Sequence, residues 1–223
     1  MTTEVVARRV GIERLPVVVI DGFHPDPDSL RTYAASAAFE PAHRHYPGIR
    51  AALPSDYFAR ARATLAPVLR DVFDHHGTQL IDASFSIVTT PPAMLSVHQR
   101  LPHVDSVERA RVALVHYLTI EDGDGTAFYR HRTTGFESVG EARSEAYYAQ
   151  LNSELRQAGV PAPAYIADSN ALFERLHRVK ARYNRALVYP SAMLHSGVIP
   201  AGTPLEPDPL RGRLTVTGFF ATA

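Results

Sequence analysis

The chain has 223 residues, of which 45% are hydrophobic, and this suits a single domain with a sizeable core. Its 23 basic and 23 acidic residues give zero net charge, which argues against a nucleic-acid or polybasic membrane surface. It has no cysteine, which excludes disulfides, thiolate zinc sites and iron–sulfur clusters. The apolar run at residues 17–20 is too short for a signal peptide or a membrane span, so we expect a soluble cytoplasmic protein.

The first 78 residues carry both strand and helix signals. A β-branched run at residues 15–20 predicts a strand, and Asp26-Pro27-Asp28 predicts the start of a helix that continues to residue 38. Residues 39–50 are irregular and form either a loop over a site or a simple connection. Residues 55–74 have an apolar stripe at helical spacing and predict a second helix.

The rest of the chain, residues 79–223, is richer in strand signals. Strands are predicted at residues 81–90, 112–120, 126–131, 182–189 and 213–220, extended chain at 94–100, and helices at 138–158 and 169–179. The strands at 112–120 and 126–131 predict a hairpin around the turn at residues 121–125. We therefore expect an α+β, mainly β fold. Residues 79–223 form its antiparallel jelly-roll core, with a helical insertion at about 138–178, and residues 1–78 support it.

A candidate metal site begins with His103 and Asp105. Side chains two residues apart in a strand point to the same face, so this imidazole and this carboxylate lie side by side if the segment is extended. His195, which follows a later strand and turn, is the natural third ligand. Two histidines and one carboxylate on one side of a metal leave its other side open, as in non-haem Fe(II) oxygenases.

Arg213 and Thr215 form a second pair on one face of the last strand. The planar guanidinium of arginine can grip a carboxylate with two parallel hydrogen bonds, and a threonine hydroxyl can donate to the same group. The pair therefore suits the far carboxylate of a dicarboxylic oxo acid. Arg211 competes for this role, and a surface ion pair is the ordinary alternative for Arg213.

Several further residues are candidates with structural alternatives. Tyr117 either donates its hydroxyl to the oxo acid or is a core residue, and Asn184 either binds the cosubstrate or holds the barrel backbone. The candidate substrate-binding residues, which belong otherwise to a solvated face, are Gln99, Arg100, Tyr129 and His131.

Taken in order, these motifs resemble the Fe(II)/2-oxoglutarate-dependent oxygenases of the double-stranded β-helix superfamily, whose core is a cupin-like jelly roll. The matching residues, within about 81–220, are His103-Val104-Asp105, His195-Ser196-Gly197-Val198, Arg213-Leu214-Thr215 and Tyr117-Leu118 with the turn Gly123-Asp124-Gly125-Thr126. The run Gln-Arg-x-Pro-His-x-Asp is similar to a small bacterial subgroup. The chain departs from the usual pattern in the longer gap between His195 and Arg213. Asp105, where halogenases of the family have a small residue, disfavours halogenation.

The resemblance implies an enzyme that uses Fe(II), 2-oxoglutarate and O2. His103, Asp105 and His195 would hold the metal and Arg213 and Thr215 the cosubstrate. The expected substrate is a small polar molecule, such as an amino acid or related biosynthetic intermediate, attacked by C–H abstraction. Hydroxylation is the default outcome, with desaturation or ring closure as alternatives. We expect no nucleic-acid or membrane partner, and the helices at 26–38 and 138–158 either cover the barrel or form a homodimer interface. The alternatives are a cupin-like metalloenzyme without 2-oxoglutarate and a non-catalytic jelly-roll binding protein.

Overall fold

The computed structural model describes residues 2–42, 46–119 and 124–222. Its strands are β1 (Glu4–Val10), β2 (Leu15–Asp21), β3 (Glu40–Pro41), β4 (Gly48–Ala51), β5 (Thr78–Val88), β6 (Arg111–Tyr117), β7 (Gly125–His131), β8 (Phe173–Lys180), β9 (Arg185–Pro190), β10 (His195–Val198) and β11 (Leu214–Thr222). Its helices are α1 (Pro27–Ser36), α2 (Tyr57–Phe73) and α3 (Glu141–Ala158), with 3₁₀ turns at Pro92–Met94 and Val97–Arg100. The described chain is therefore mainly β, as the sequence predicts. None of its helices is long and apolar enough to cross a membrane.

Two antiparallel sheets form the framework. The larger has eight strands in the order β1-β2-β9-β6-β11-β5-β4-β3, and the smaller has the order β10-β7-β8. Strands β1 to β4 all precede residue 78, so the first part of the chain supplies half of the larger sheet as well as two helices. This part of the chain is thus built into the larger sheet.

The larger sheet buries both of its faces. On one face, α1 and α2 cover strand residues such as Val18, Ile20, Val188 and Val216. On the other face, residues of the smaller sheet complete the core, and the rings of Phe128 and Tyr189 meet edge to face with centroids 5.2 Å apart. The alternation of side chains along each strand separates these two cores.

Helix α2 shows how local pattern and packing agree. Its buried residues recur every three or four positions: Tyr57, Ala61, Leu65, Val68 and Leu69. Burial of the larger aliphatic side chains, Leu65, Val68 and Leu69, contributes about 1.5–3 kcal/mol each, so the stripe holds the helix on the sheet. The helix ends at Asp74, which takes the left-handed conformation common after a last turn.

The predicted hairpin at residues 112–131 is wrong. Strand β6 lies in the larger sheet between β9 and β11, whereas β7 lies in the smaller sheet between β10 and β8. The connection between them therefore passes from one sheet to the other, and residues 120–123 of its turn lie outside the described residues. A turn signal shows where the chain reverses but not which strand it joins next.

Two other local predictions also fail. Residues 169–179, predicted to be helical, contain β8, which pairs along its length with β7. Tertiary pairing overrides the local helix preference of this polar segment. Residues 94–100, predicted to be extended, contain the whole second 3₁₀ turn, at whose start Ser96 and Gln99 form a capping box.

Candidate functional site

The structure brings His103, Asp105 and His195 together. One possible ligand atom from each lies within 4.8 Å of the other two. The Asp105 carboxylate is 3.8 Å from Nε2 of His103 and 3.4 Å from Nε2 of His195, through different oxygens. The two imidazole centroids are 4.5 Å apart. The three groups therefore converge on one point, as the sequence predicts.

Backbone hydrogen bonds hold these residues in place. The N–H of His103 donates to the carbonyl of His195 and the N–H of His195 to the carbonyl of His103, both at 2.9 Å. The N–H of Asp105 donates to the carbonyl of Ser191 at 2.9 Å. His103 and His195 form an isolated β-bridge. The His-x-Asp segment was expected to be a strand, but it is not part of a regular one. The side chains still meet because both ends of the segment are tied to the chain around His195.

His195 is set up as a neutral ligand. Its Nδ1 donates to the carbonyl of Met193 at 2.9 Å, which leaves the lone pair of Nε2 directed at Asp105. Burial lowers the pKa of His195 to about 4, although the bond to Met193 acts in the opposite direction. At neutral pH the imidazole is therefore uncharged, which is the form that binds metals.

Asp105 completes the donor set. Burial raises the pKa of its carboxyl, while the charges of His103 and Arg50 lower it. A divalent cation beside it would favour the ionised form. Two imidazole nitrogens and one carboxylate oxygen are the donors that iron in oxygenases uses, so the residues present fit such a metal.

The three residues lie in the wall of a cavity of about 510 Å³. The cavity lies between the two sheets, and its wall includes residues of β5, β6 and β11 from the larger sheet and of β10 from the smaller. Its size is in the range of a small-molecule site.

Arg213 lies in this wall with 6% of its surface exposed. Its Nε donates to Oδ1 of Asp124 at 2.7 Å, and its Nη2 donates to the carbonyl of Gly125 at 3.3 Å. Burial alone would lower the pKa of this guanidinium, but the charge and hydrogen bond of Asp124 together with the phenols of Tyr117 and Tyr46 raise it overall. Arg211, by contrast, is at the surface, where its 69% exposed side chain pairs with Glu206. Of the two candidate anchors, only Arg213 reaches the cavity.

Thr215 and Tyr46 lie beside Arg213. Both line the cavity, and the hydroxyl of Thr215 donates to the carbonyl of Ser86 at 3.2 Å. Burial raises the pKa of the Tyr46 phenol, while the nearby Arg213, Arg50 and Thr215 lower it. The sequence does not single out Tyr46. The nearest indication in the sequence is the prediction that the irregular residues 39–50 form a loop over a site. Tyr46 reaches the cavity because β4, which begins two residues later, pairs with β5.

The other two candidate cosubstrate residues, Tyr117 and Asn184, have structural roles. The Tyr117 hydroxyl bonds Oγ1 of Thr126 at 2.6 Å, and its ring centroid is 5.7 Å from the Arg213 guanidinium, so it supports the anchor from behind the cavity wall. Asn184 bonds the backbone of His24 and Nε2 of His116. It has a φ of 58° and does not line the cavity, so the structural alternative applies.

The four candidate substrate residues divide in the same way. Only Gln99 lines the cavity, and its side chain accepts the N–H of Ser96. Arg100 donates to the carbonyls of Leu95 and Pro161. Tyr129 is fully buried beneath α3, and His131 lies between Thr134 and Glu154. Arg100, Tyr129 and His131 therefore stabilise the fold. Tyr129 and His131 face away from the cavity because side chains alternate along the strand, and Arg100 is hydrogen-bonded to backbone carbonyls.

Solved structures show the same fold. HygX from Streptomyces hygroscopicus with nickel, 2-oxoglutarate and hygromycin B bound is 16% identical with a TM-score of 0.52, over 95% of this chain and 84% of HygX. HygX with iron bound is 17% identical with a TM-score of 0.51, over 96% and 83%. The non-haem α-ketoglutarate-dependent epimerase SnoN from nogalamycin biosynthesis is 11% identical with a TM-score of 0.51, over 96% and 79%. At these identities the likeness shows the fold alone.

Sequence comparison adds the family. No curated protein sequence gives a significant match. A family model matches residues 1–220, nearly the whole chain, and the chain therefore belongs to the family of unknown function DUF6445.

Proposed function

We propose that this chain is a non-haem Fe(II)- and 2-oxoglutarate-dependent oxygenase that acts on a small molecule by C–H abstraction. The observation that carries the proposal is that His103, Asp105 and His195 share one cavity with the buried Arg213 and Thr215. A metal-binding face and a carboxylate-binding arginine in the same cavity are what a metal-chelated dicarboxylic oxo acid needs. The fold shared with HygX and SnoN supports the same class.

Each part of the cavity has a task in this proposal. His103, Asp105 and His195 would hold the metal, with the backbone bridge between the histidines fixing their positions. Bound iron supplies O2 activation coupled to decarboxylation of 2-oxoglutarate. Arg213 and Thr215, together with the phenol of Tyr46, would bind the far carboxylate of the oxo acid.

The expected reaction is hydroxylation, with desaturation or ring closure as outcomes of the same first steps. Asp105 occupies the position where a small residue would leave room for a halide, so halogenation is not proposed. The proposed substrate is a small polar molecule such as an amino acid, which a screen for substrate-dependent succinate release would identify.

One observation favours a second candidate, a cupin-like metalloenzyme that does not use 2-oxoglutarate. The guanidinium of Arg213 already pairs with Asp124 at 2.7 Å, so part of its hydrogen-bonding capacity is taken. In this alternative the pair is structural, and the three ligands serve a metal with another substrate.

A spectroscopic titration separates the two candidates. Under anaerobic conditions, we expect 2-oxoglutarate to give a weak visible charge-transfer band with the Fe(II)-loaded protein. His103→Ala should abolish the band. Tyr46→Phe should keep it but weaken 2-oxoglutarate binding about ten-fold, the order of a hydrogen bond to a charged group. Tyr33→Phe, at a half-exposed position on α1, is the matched control. Iron binding without any band in the natural protein would reject the oxygenase and favour the second candidate.

A further inference from the structure

Arg50 occupies a position in the cavity that the proposed metal and cosubstrate sites do not use. It lies on β4, where it pairs with Ser86 of β5, and Ser86 pairs in turn with Thr215 of β11. Directly paired residues in antiparallel strands project to the same face of the sheet. Arg50 therefore shares the cavity face with Thr215, and it lines the cavity.

The side chain of Arg50 is held in place by an aromatic ring. Its guanidinium lies 4.7 Å from the ring centroid of Tyr46, and 27% of the side chain is exposed. Such stacking restricts an arginine while leaving its hydrogen-bonding edge available. Tyr46 thus stands between two arginines, since its phenol also lies next to Arg213 and Thr215.

The charge of Arg50 is the least neutralised among the arginines in the cavity wall. Arg213 is paired with Asp124 at 2.7 Å and Arg111 with Glu108 at 2.7 Å. Among the described residues, the carboxylate nearest to Arg50 is that of Asp82, at 3.9 Å and 60% exposed. The Nε of Arg50 is buried and has no hydrogen-bond partner among the described residues. A ligand in the cavity would therefore meet the terminal nitrogens of this partly exposed guanidinium rather than its Nε.

Arg50 also lies close to the proposed metal site. Its charge acts on the Asp105 carboxylate, which is one of the three candidate ligands. The wall around them contains apolar and aromatic side chains, among them Ile81, Tyr148 and Phe219. A ligand held by its anionic end at Arg50 would place an apolar body in the same cavity as the metal ligands.

We propose that Arg50 binds a carboxylate of the substrate, which narrows the small polar molecules proposed above to organic acids, amino acids included, that carry an apolar or aromatic group. This inference rests on the proposed function, because it assigns the substrate of that same cavity. The terminal Nη groups of Arg50 would donate hydrogen bonds to the carboxylate, with the Tyr46 ring stacked on the guanidinium.

Calorimetry with a matched acid and amide tests this assignment. The probes are 3-phenylpropanoate and 3-phenylpropanamide, titrated anaerobically into Fe(II)-loaded protein saturated with 2-oxoglutarate. We expect the acid to bind at least about ten-fold more tightly than the amide, since charge-assisted hydrogen bonds to a guanidinium discriminate by that order. Arg50→Gln should remove the preference, and Arg50→Lys should retain only part of it.

Arg111→Gln is the matched control, because Arg111 lines the same cavity but is neutralised by Glu108. It should keep the preference for the acid. The proposal fails if the acid does not bind, if acid and amide bind equally, or if Arg50→Gln leaves their ratio unchanged. It also fails if Arg50→Gln mainly weakens 2-oxoglutarate binding, since Arg50 would then be a cosubstrate residue.

The two proposals can fail separately. Absence of the 2-oxoglutarate band in the natural protein rejects the oxygenase. The ratio of acid to amide binding, measured on Ni(II)-loaded protein without 2-oxoglutarate, still tests Arg50. Melting curves of both Arg50 variants establish that they are folded.

Discussion

Arg213 and Asp124 illustrate what single residues contribute. Their side chains are only 7% and 1% exposed, and they face each other at 2.7 Å. The sequence could identify Arg213, because an arginine followed two residues later by a threonine on an alternating strand has a recognisable chemical use. It could not identify Asp124 as its partner, because the two are 89 residues apart and meet only when β11 and the start of β7 come together.

The first prediction concerns this ion pair. Arg213→Met should lower the free energy of unfolding by about 3–5 kcal/mol, because it leaves the Asp124 carboxylate buried without its counter-charge. The double variant Asp124→Asn, Arg213→Met should recover a large part of this loss. Urea unfolding of both single variants and the double variant gives the coupling energy. Purely additive losses would show that the two residues are not coupled.

Strand β4 illustrates the scale of the element. It has only four residues, and the sequence predicts irregular chain there because so short a strand has no periodic pattern. The longer elements that bury an apolar face, such as α2 and β6, were predictable from that face. Strand β1 was missed for a related reason: it pairs only with β2 at the edge of the sheet and is mostly exposed. The segment that carries Tyr46 and Arg50, which consists of β4 and the residues just before it, was therefore hard to predict.

The second prediction tests the close contact at the start of β4. A Cβ added at Gly48 would lie 1.9 Å from the carbonyl oxygen of Ile87 on β5, so Gly48→Ala should force the two strands apart. We expect a loss of about 1–3 kcal/mol in stability. Because Tyr46, a proposed cosubstrate residue, lies two positions before Gly48, weaker 2-oxoglutarate binding at unchanged iron affinity is also expected.

Gly140→Ala provides the control for this substitution. A Cβ at Gly140 would meet only the carbonyl oxygen of Val107, at an ordinary 3.7 Å, and its φ is −85°. Denaturation midpoints and 2-oxoglutarate titrations of the two alanine variants should therefore diverge. Equal behaviour would mean that the β4–β5 contact relaxes without effect on the cavity.

At the scale of the molecule, a buried polar network joins α2 to the larger sheet. Nδ1 of His116 bonds the Tyr57 hydroxyl at 2.9 Å, and Nε2 bonds Oδ1 of Asn184 at 3.0 Å. The pKa of His116 is lowered to about 3, mainly by burial and to a smaller extent by the charge of the neighbouring His24, while the hydrogen bond with Asn184 acts in the opposite direction. The mainly β class was predictable from the number of strand signals. The sheet order and this network were not, because they depend on contacts between distant segments.

The third prediction is a loss of stability in acid. Between the ordinary histidine pKa of about 6.5 and the folded value of about 3, the unfolded chain binds a proton at His116 and the folded chain does not. Stability should therefore fall as the pH decreases through this range, by up to about 1.4 kcal/mol per pH unit for this group.

Urea unfolding at several pH values measures this slope. His116→Gln keeps a donor for Asn184 but cannot titrate, so its stability should fall less steeply than that of the natural protein below pH 6.5. Other buried histidines, including His24 and His195, titrate in both proteins and cancel in the comparison. Parallel curves for the two proteins would place a proton on His116 in the folded state.

The pair of backbone hydrogen bonds between His103 and His195 would affect how the proposed site binds and releases a metal ion. Residues 92 positions apart in the chain are held together by peptide groups rather than by the groups that would bind an ion. The donors are therefore preorganised before any ion arrives, and little conformational entropy remains to be lost on binding. A chelator should then extract the ion from a chain that stays folded, and different divalent ions should exchange in the same site. Such a protein can be emptied and reloaded repeatedly, unlike a zinc finger, whose fold depends on its metal.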